Sequence, residues 1–206
     1  MTGIWQAVTI VFLSATFLHA AEAPKAFGWD PPKVPHSMFT PDLGMLDTER
    51  DEYATNLASH AASLVATSKA SPQSLADGRR MIALALHLSP RNKRAIVVNF
   101  QLSKGLMPEV SDSNYRPQVF ARLLLSRGQL LEKQGGEENK RLARLFVQLA
   151  SSMDPKNEDA VYASEVHRLD HGTPDWSAVT DGTEKKPEAT VPVLPQGSGE
   201  RPAPPP

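Results

Sequence analysis

Residues 81–96 read MIALALHLSPRNKRAI, and residues 146–161 read FVQLASSMDPKNEDAV. Aligned at a constant offset of 65, they share Leu84/Leu149, Ala85/Ala150, Pro90/Pro155, Asn92/Asn157 and Ala95/Ala160. Met81/Phe146, Ile82/Val147, Leu88/Met153 and Ile96/Val161 exchange one apolar side chain for another, and Arg91/Lys156 keeps its charge. Ser89-Pro90 and Asp154-Pro155 occupy the same slot. The residue before a proline is biased out of the α region, which ends an incoming helix. Ser or Asp at an N-cap accepts a backbone N–H, and proline at the first helical position forfeits no bond. The dipeptide is therefore expected to close one helix and open the next, with Ser89 and Asp154 as N-caps. The chain reads as a helical hairpin written twice.

The flanking periodicity agrees. Leu142, Leu145, Phe146, Leu149, Ala150 and Met153 follow the i, i+3, i+4, i+7 spacing of a buried helical stripe. Phe120, Leu123, Leu124 and Leu131 make a similar stripe on a preceding helix, stopped by Gly135-Gly136. Tyr53, Leu57, Ala61, Leu64 and Val65 form the equivalent in the first copy, with Pro72 in the following turn. The pattern predicts helices over 49–67, 74–88, 90–104, 117–133, 137–153 and 155–169, joined across 105–117 by GLMPEVSDSNYRP. No stretch reads as a strand. The fold class expected is all-α, with a helical domain at 49–172 built from units 49–105 and 117–172.

A helix of alternating small and large residues followed by a P-x-N junction resembles the tetratricopeptide repeat, over roughly 74–105 and 137–172. Ala85 and Ala150 stand where that family's helix packs on its neighbours through a small residue. Ile96 and Val161 depart from the family, which usually has an aromatic there, and Asn99 and Ser164 stand where leucine is usual. The fourth helix of a two-repeat pattern is replaced by the 105–117 connection. The resemblance implies helical hairpins stacked as a short α-solenoid, whose concave face binds a peptide or partner protein.

Both ends differ in composition from the middle. Ala7 to Leu18 is an uncharged apolar run, followed by the small residues Ala20, Ala21 and Ala23. That arrangement predicts a secretory signal peptide over 1–21, although MTGIWQ carries no Lys or Arg. An uncleaved anchor is the alternative, on a run from Ile4 to Ala21 that falls short of the roughly 20 residues a span needs. Residues 22–48 hold Pro24, Pro31, Pro32, Pro35 and Pro41 among Phe27, Trp29 and Phe39, and predict an extended strap that wraps over the domain. Residues 173–206 finish in PVLPQGSGERPAPPP and predict a disordered tail, since few large apolar side chains remain to offset ordering entropy.

The 206 residues carry Lys+Arg 22 against Asp+Glu 23, a net charge of −1, and no Cys. Thiol nucleophiles, disulfides and thiolate zinc sites are thereby excluded. The balance leaves no electrostatic footprint for nucleic acid. His167 and His171, spaced i, i+4 with Asp170 between, are the weak metal candidates. A histidine there also suits the negative end of the helix dipole. His60, between Leu57 and Leu64, reads as a satisfied, partly buried histidine. No catalytic group and no cofactor is assigned. Asn99, Arg122 and Arg127 are the partner-binding candidates, Asn99 sharing its repeat slot with Ser164. The functional expectation is an exported, periplasmic or secreted, non-enzymatic scaffold that binds another protein or peptide, with membrane contact only through the signal segment if uncleaved. Two alternatives stay open: an accessory module of an envelope peptidase tethered by its tail, and a metal-dependent envelope hydrolase using His167, Asp170 and His171.

Overall fold

The computed structural model describes residues 27–110 and 116–182. The signal-like segment, the first residues of the strap and positions 183–206 of the tail lie outside them. Seven helices follow in order: α1 (Asp47–Thr67), α2 (Pro72–Leu88), α3 (Lys93–Ser103), α4 (Pro117–Gln134), α5 (Glu137–Met153), α6 (Glu158–His171) and α7 (Trp176–Asp181). No strand occurs among the described residues. Helix α1 packs along α2, with α3 laid against both, and α4 packs along α5, with α6 against α5. The duplication is thus two three-helix units, all-α and pairwise packed.

Both ends of α2 and α5 keep the 65-residue offset, as do the starts of α3 and α6. The first helices match at 67 instead: Tyr53/Phe120, Ala54/Ala121, Leu57/Leu124, Ala61/Gly128 and Leu64/Leu131. The difference of two lies in the links, 68–71 in the first unit and 135–136 in the second. The shorter link is two glycines at φ 72° and 85°, a left-handed turn that a side chain would strain.

The junction residues behave differently from the expectation at one point. Ser89 and Asp154 are not N-caps; they end α2 and α5 in extended conformations, at φ/ψ of −141°/93° and −135°/79°. Pro90 and Pro155 then lie in a turn, and the next helices begin three residues later than predicted. Asn92 and Asn157 are the caps, accepting from the N–H of Ala95 at 3.0 Å and of Ala160 at 3.2 Å. Asn92 is the better cap for a further reason: its amide also donates to the Asp51 carbonyl and to Thr55 Oγ1, tying the start of α3 to α1. Ser89 meanwhile donates to the Asp51 carboxylate at 2.7 Å. The Ser-Pro start does occur one helix earlier. Ser71 caps α2 through the Ser74 N–H and Pro72 is its first residue, where the periodicity had left a turn.

Within each unit the long helices cross at small residues. A Cβ on Gly78 would meet Val65 Cγ2 at 3.0 Å and the Ala61 carbonyl at 3.9 Å. A Cβ on Gly128 would meet Val147 Cγ2 at 3.0 Å and the Ala143 carbonyl at 3.1 Å. Between units the contact is aromatic. Tyr53 stacks on Phe146 with centroids 5.3 Å apart, and His60 stacks on Phe120 at 5.1 Å.

The described part of the proline-rich strap, residues 27–46, lies over the domain, without regular structure at first and turning at 40–45. Phe39, Leu43 and Met45 are buried in the core, Trp29 Nε1 donates to Asn99 Oδ1, and Gly44 N–H donates to Asn139 Oδ1. The tail begins differently from the disordered reading. Trp176–Asp181 form the short helix α7, capped by Asp175, with Val179 and Thr180 buried. Two side chains were enough: Trp176 and Val179 supply the apolar area, and α7 lies on α2.

His87 holds strap and α7 together. Its Nδ1 accepts from the Met38 N–H at 3.1 Å, which leaves the proton on Nε2, 2.9 Å from the Val179 carbonyl it donates to. Lys33 N–H donates to the Thr180 carbonyl at 2.7 Å, and Arg79 bridges Asp30 and Asp181 beside it. Arg79 in turn holds the Asp181 carboxyl below its ordinary range, with Thr180 adding a hydrogen bond in the same direction.

Two predictions follow from packing and protonation. Gly128→Ala gains about 1 kcal/mol of helix propensity but sets a methyl against a backbone carbonyl and lowers stability by about 1–2 kcal/mol net. Gly78→Ala, whose tight contact is the end of a valine while the Ala61 carbonyl stays at ordinary distance, costs less; urea melts of the two variants rank them. Burial lowers the His87 pKa, opposed in part by the Val179 hydrogen bond, so the unfolded chain binds its proton first as pH falls. The neutral ring's contribution is complete above its ordinary value of about 6.5 and is lost as pH falls through the lowered folded value. The expected melting temperature falls as pH drops below about 6.5, and falls less in His87→Gln. Thermal melts by circular dichroism check this, and equal pH slopes for the two proteins contradict it.

Candidate functional site

The partner-binding residues read from the sequence do not converge. Asn99 lies on α3, half-buried, with its side-chain carbonyl taken by Trp29 at 3.0 Å. The chain's own strap thus occupies that slot. Arg127 faces inward from α4. Its Nη2 donates to the Gly44 carbonyl at 2.6 Å and to Glu49 Oε2 at 2.7 Å, and its side chain is 12% exposed. That arginine fastens the strap and α1 to the second unit. Arg122 alone remains at a surface, exposed on α4.

Arg122 lines an open groove of about 950 Å³ between α4 and α6. Gln118 and Gln129 stand on the same side, and Glu158, Asp159 and Tyr162 face them from α6. Tyr162 is 73% exposed, unusual for a tyrosine on a packed helix. The two walls carry complementary chemistry, an arginine and amides against carboxylates and a phenol ring. Such a surface can hydrogen-bond an extended backbone and take an apolar side chain against Tyr162.

At the far end of the groove His167 turns its Nδ1 inward. That atom and Glu132 Oε2 are buried without hydrogen-bond partners. Burial lowers the His167 pKa, with the Glu132 carboxylate pulling it up and His171 pushing it down. The His167 and His171 rings stand 6.4 Å apart, edge to face. Among the described residues no group of three His, Asp or Glu is arranged to hold a metal ion. His171 sits in the last turn of α6, which Gly172 ends at φ 76°.

A second hollow was not visible in the sequence. A cleft of about 490 Å³ opens between the units, with His60, Met81, Leu149 and Met153 in its walls and Trp176 over it. Trp176 Nε1 donates to Gln148 Oε1 at 2.6 Å, and Arg80 lies 5.9 Å from the ring centroid. His60 departs from the satisfied reading, because its Nε2 is buried with no partner and burial lowers its pKa. The missed signal was Trp176, whose lone indole in a proline-rich tail marks a docking point.

No family model, no curated protein and no solved structure matches the chain.

The two arginines of α4 separate by role. Arg127→Ala removes two charge-assisted bonds from a nearly buried side chain and lowers stability by about 1–3 kcal/mol. Arg122→Ala changes stability by less than about 0.5 kcal/mol. Urea denaturation of the two variants reads the difference, and equal midpoints would contradict the assignment.

Proposed function

We propose that the chain is an exported, non-enzymatic scaffold of the cell envelope that binds a partner protein or peptide along the α4–α6 groove. The observation that carries this reading is the groove itself, an open trough with exposed Arg122 on one wall and exposed Tyr162 on the other. Two helical hairpins, each crossing at a glycine and each followed by a P-x-N turn, support a short tetratricopeptide-like solenoid as its frame. Export rests on the apolar run from Ala7 to Leu18 and the small residues after it. Aromatic and arginine side chains are the usual energetic centres of protein interfaces, and here they face each other across a channel with room for an extended chain.

The test is affinity capture from an envelope extract. The full chain is expected to retain a specific protein that the double variant Arg122→Glu, Tyr162→Ala loses by at least about tenfold. A partner retained equally by both would move the binding surface elsewhere. Absence of any specific partner removes the reading.

A further inference from the structure

The third helices of the two units are copies with opposite charge. At the 65-residue offset Lys93 corresponds to Glu158 and Arg94 to Asp159, while Ile96 corresponds to Val161 and Val97 to Tyr162. The apolar pair is exposed in both copies, at 47% and 38% on α3 and 37% and 73% on α6. Phe100 extends the apolar face of α3 and Leu169 that of α6, also exposed. The imbalance of charge is broad. Between residues 91 and 108 stand Arg91, Lys93, Arg94 and Lys104 with no acidic residue. Over the matching residues 156–173 stand Glu158, Asp159, Glu165 and Asp170 against Lys156 and Arg168, and Arg168 pairs with Glu165 on its own helix.

The basic residues of α3 also break a local rule. Lys93 and Arg94 occupy the first turn, where the helix dipole favours carboxylates, and no acidic residue accompanies them. Glu158 and Asp159 obey the same rule at the start of α6. Among the described residues no carboxylate pairs with Lys93, which is exposed, and Arg94 reaches the Glu109 carbonyl. A local conflict of this kind fits a surface shaped by something outside the monomer. Within the monomer α3 packs on α1 and α2, and α6 on α5 and α4, so each presents its charged apolar face outward.

We propose that the α3 face of one molecule docks on the α6 face of another, so that the chain associates head to tail with itself. The inference rests on the binding reading of the α4–α6 groove and names its occupant, since Glu158, Asp159 and Tyr162 belong to both. Like apolar residues meet across the contact, and lysine and arginine meet carboxylates around them. The contact is heterologous: each molecule offers one face of each kind, and association continues until a ring closes or a filament grows. Charge steers the encounter, and salt weakens it.

The experiment uses the full chain and two reversals, Lys93→Glu with Lys104→Glu, and Glu158→Lys with Asp159→Lys. Sedimentation and light scattering follow the mass from about 10 μM to about 1 mM in low and high salt, the range where weak interfaces of this size are read. The wild-type mass is expected to rise with concentration at low salt, with at least about tenfold weaker association at high salt. Each reversed protein alone stays monomeric, because its altered face no longer carries a charge opposite to that of its other face. Mixed in equal amounts the two reversed proteins associate, because each supplies the sign that the other lost. The Lys93→Glu, Lys104→Glu protein keeps a melting temperature within a few degrees of wild type, so its monomeric state is not unfolding. A wild type that stays monomeric at all concentrations overturns the proposal, and so does a mixture that fails to associate. The same holds if the chain stays monomeric and the lysine reversals cost only binding to phosphatidylglycerol vesicles, which would make α3 a lipid-facing surface. A monomeric wild type that still captures an envelope protein through Arg122 and Tyr162 overturns self-pairing alone and leaves the groove's binding role standing.

Discussion

Four rings hold the two halves of this protein together. Backbone contact is extensive inside each unit and sparse between units, so the joint depends on side chains: Tyr53 against Phe120 and Phe146, and His60 against Phe120. Stacked and tilted rings at these separations add a modest directional term to their burial. They also fix the angle between the hairpins, and with it the width of the cleft under Trp176. Arg127 supports the joint from the edge by gripping Glu49 and the Gly44 carbonyl. Tyr53 and Phe120 are equivalent positions of the repeat, so the copied aromatic became the contact between the copies.

The helical framework was legible because its signals are local. A buried stripe at helical spacing, a proline that forbids continuation and a glycine pair that permits a left-handed turn each act within a few residues. The 65-residue offset therefore located α2 and α5 to the residue at their C-terminal ends. Cap assignment failed at Ser89 and Asp154 because the choice is tertiary. Asn92 wins where it reaches both the Ala95 N–H and the side of α1, and Ser89 is drawn to Asp51 instead. The first-helix match at an offset of 67 stayed hidden for a simpler reason: the inter-helix links differ by two residues, and a fixed offset loses register there.

The candidate site was less legible, in a way that follows from chain topology. Asn99 looked available because its repeat slot is polar, yet Trp29, distant in sequence, reaches it. Arg127 is named with Arg122 as a groove residue, yet it lies one turn and a residue beyond Arg122, a spacing that places it on another side of α4 and against Gly44. Spacing on one helix assigns a face; only the neighbours decide whether that face meets solvent. The same holds for Trp176, whose partner Gln148 stands on α5.

The Lys33–Thr180 hydrogen bond and the Arg79–Asp181 bridge place the two limits of the folded body side by side. A pull exerted between whatever precedes the strap and whatever follows α7 therefore loads that small junction directly. Trp29 on Asn99 and Asp181 on Arg79 pass that load on to α3 and α2, while α4 and α5 lie off the line of force. Mechanical strength in this molecule is accordingly set at one flank, where the strap, α2, α3 and α7 meet.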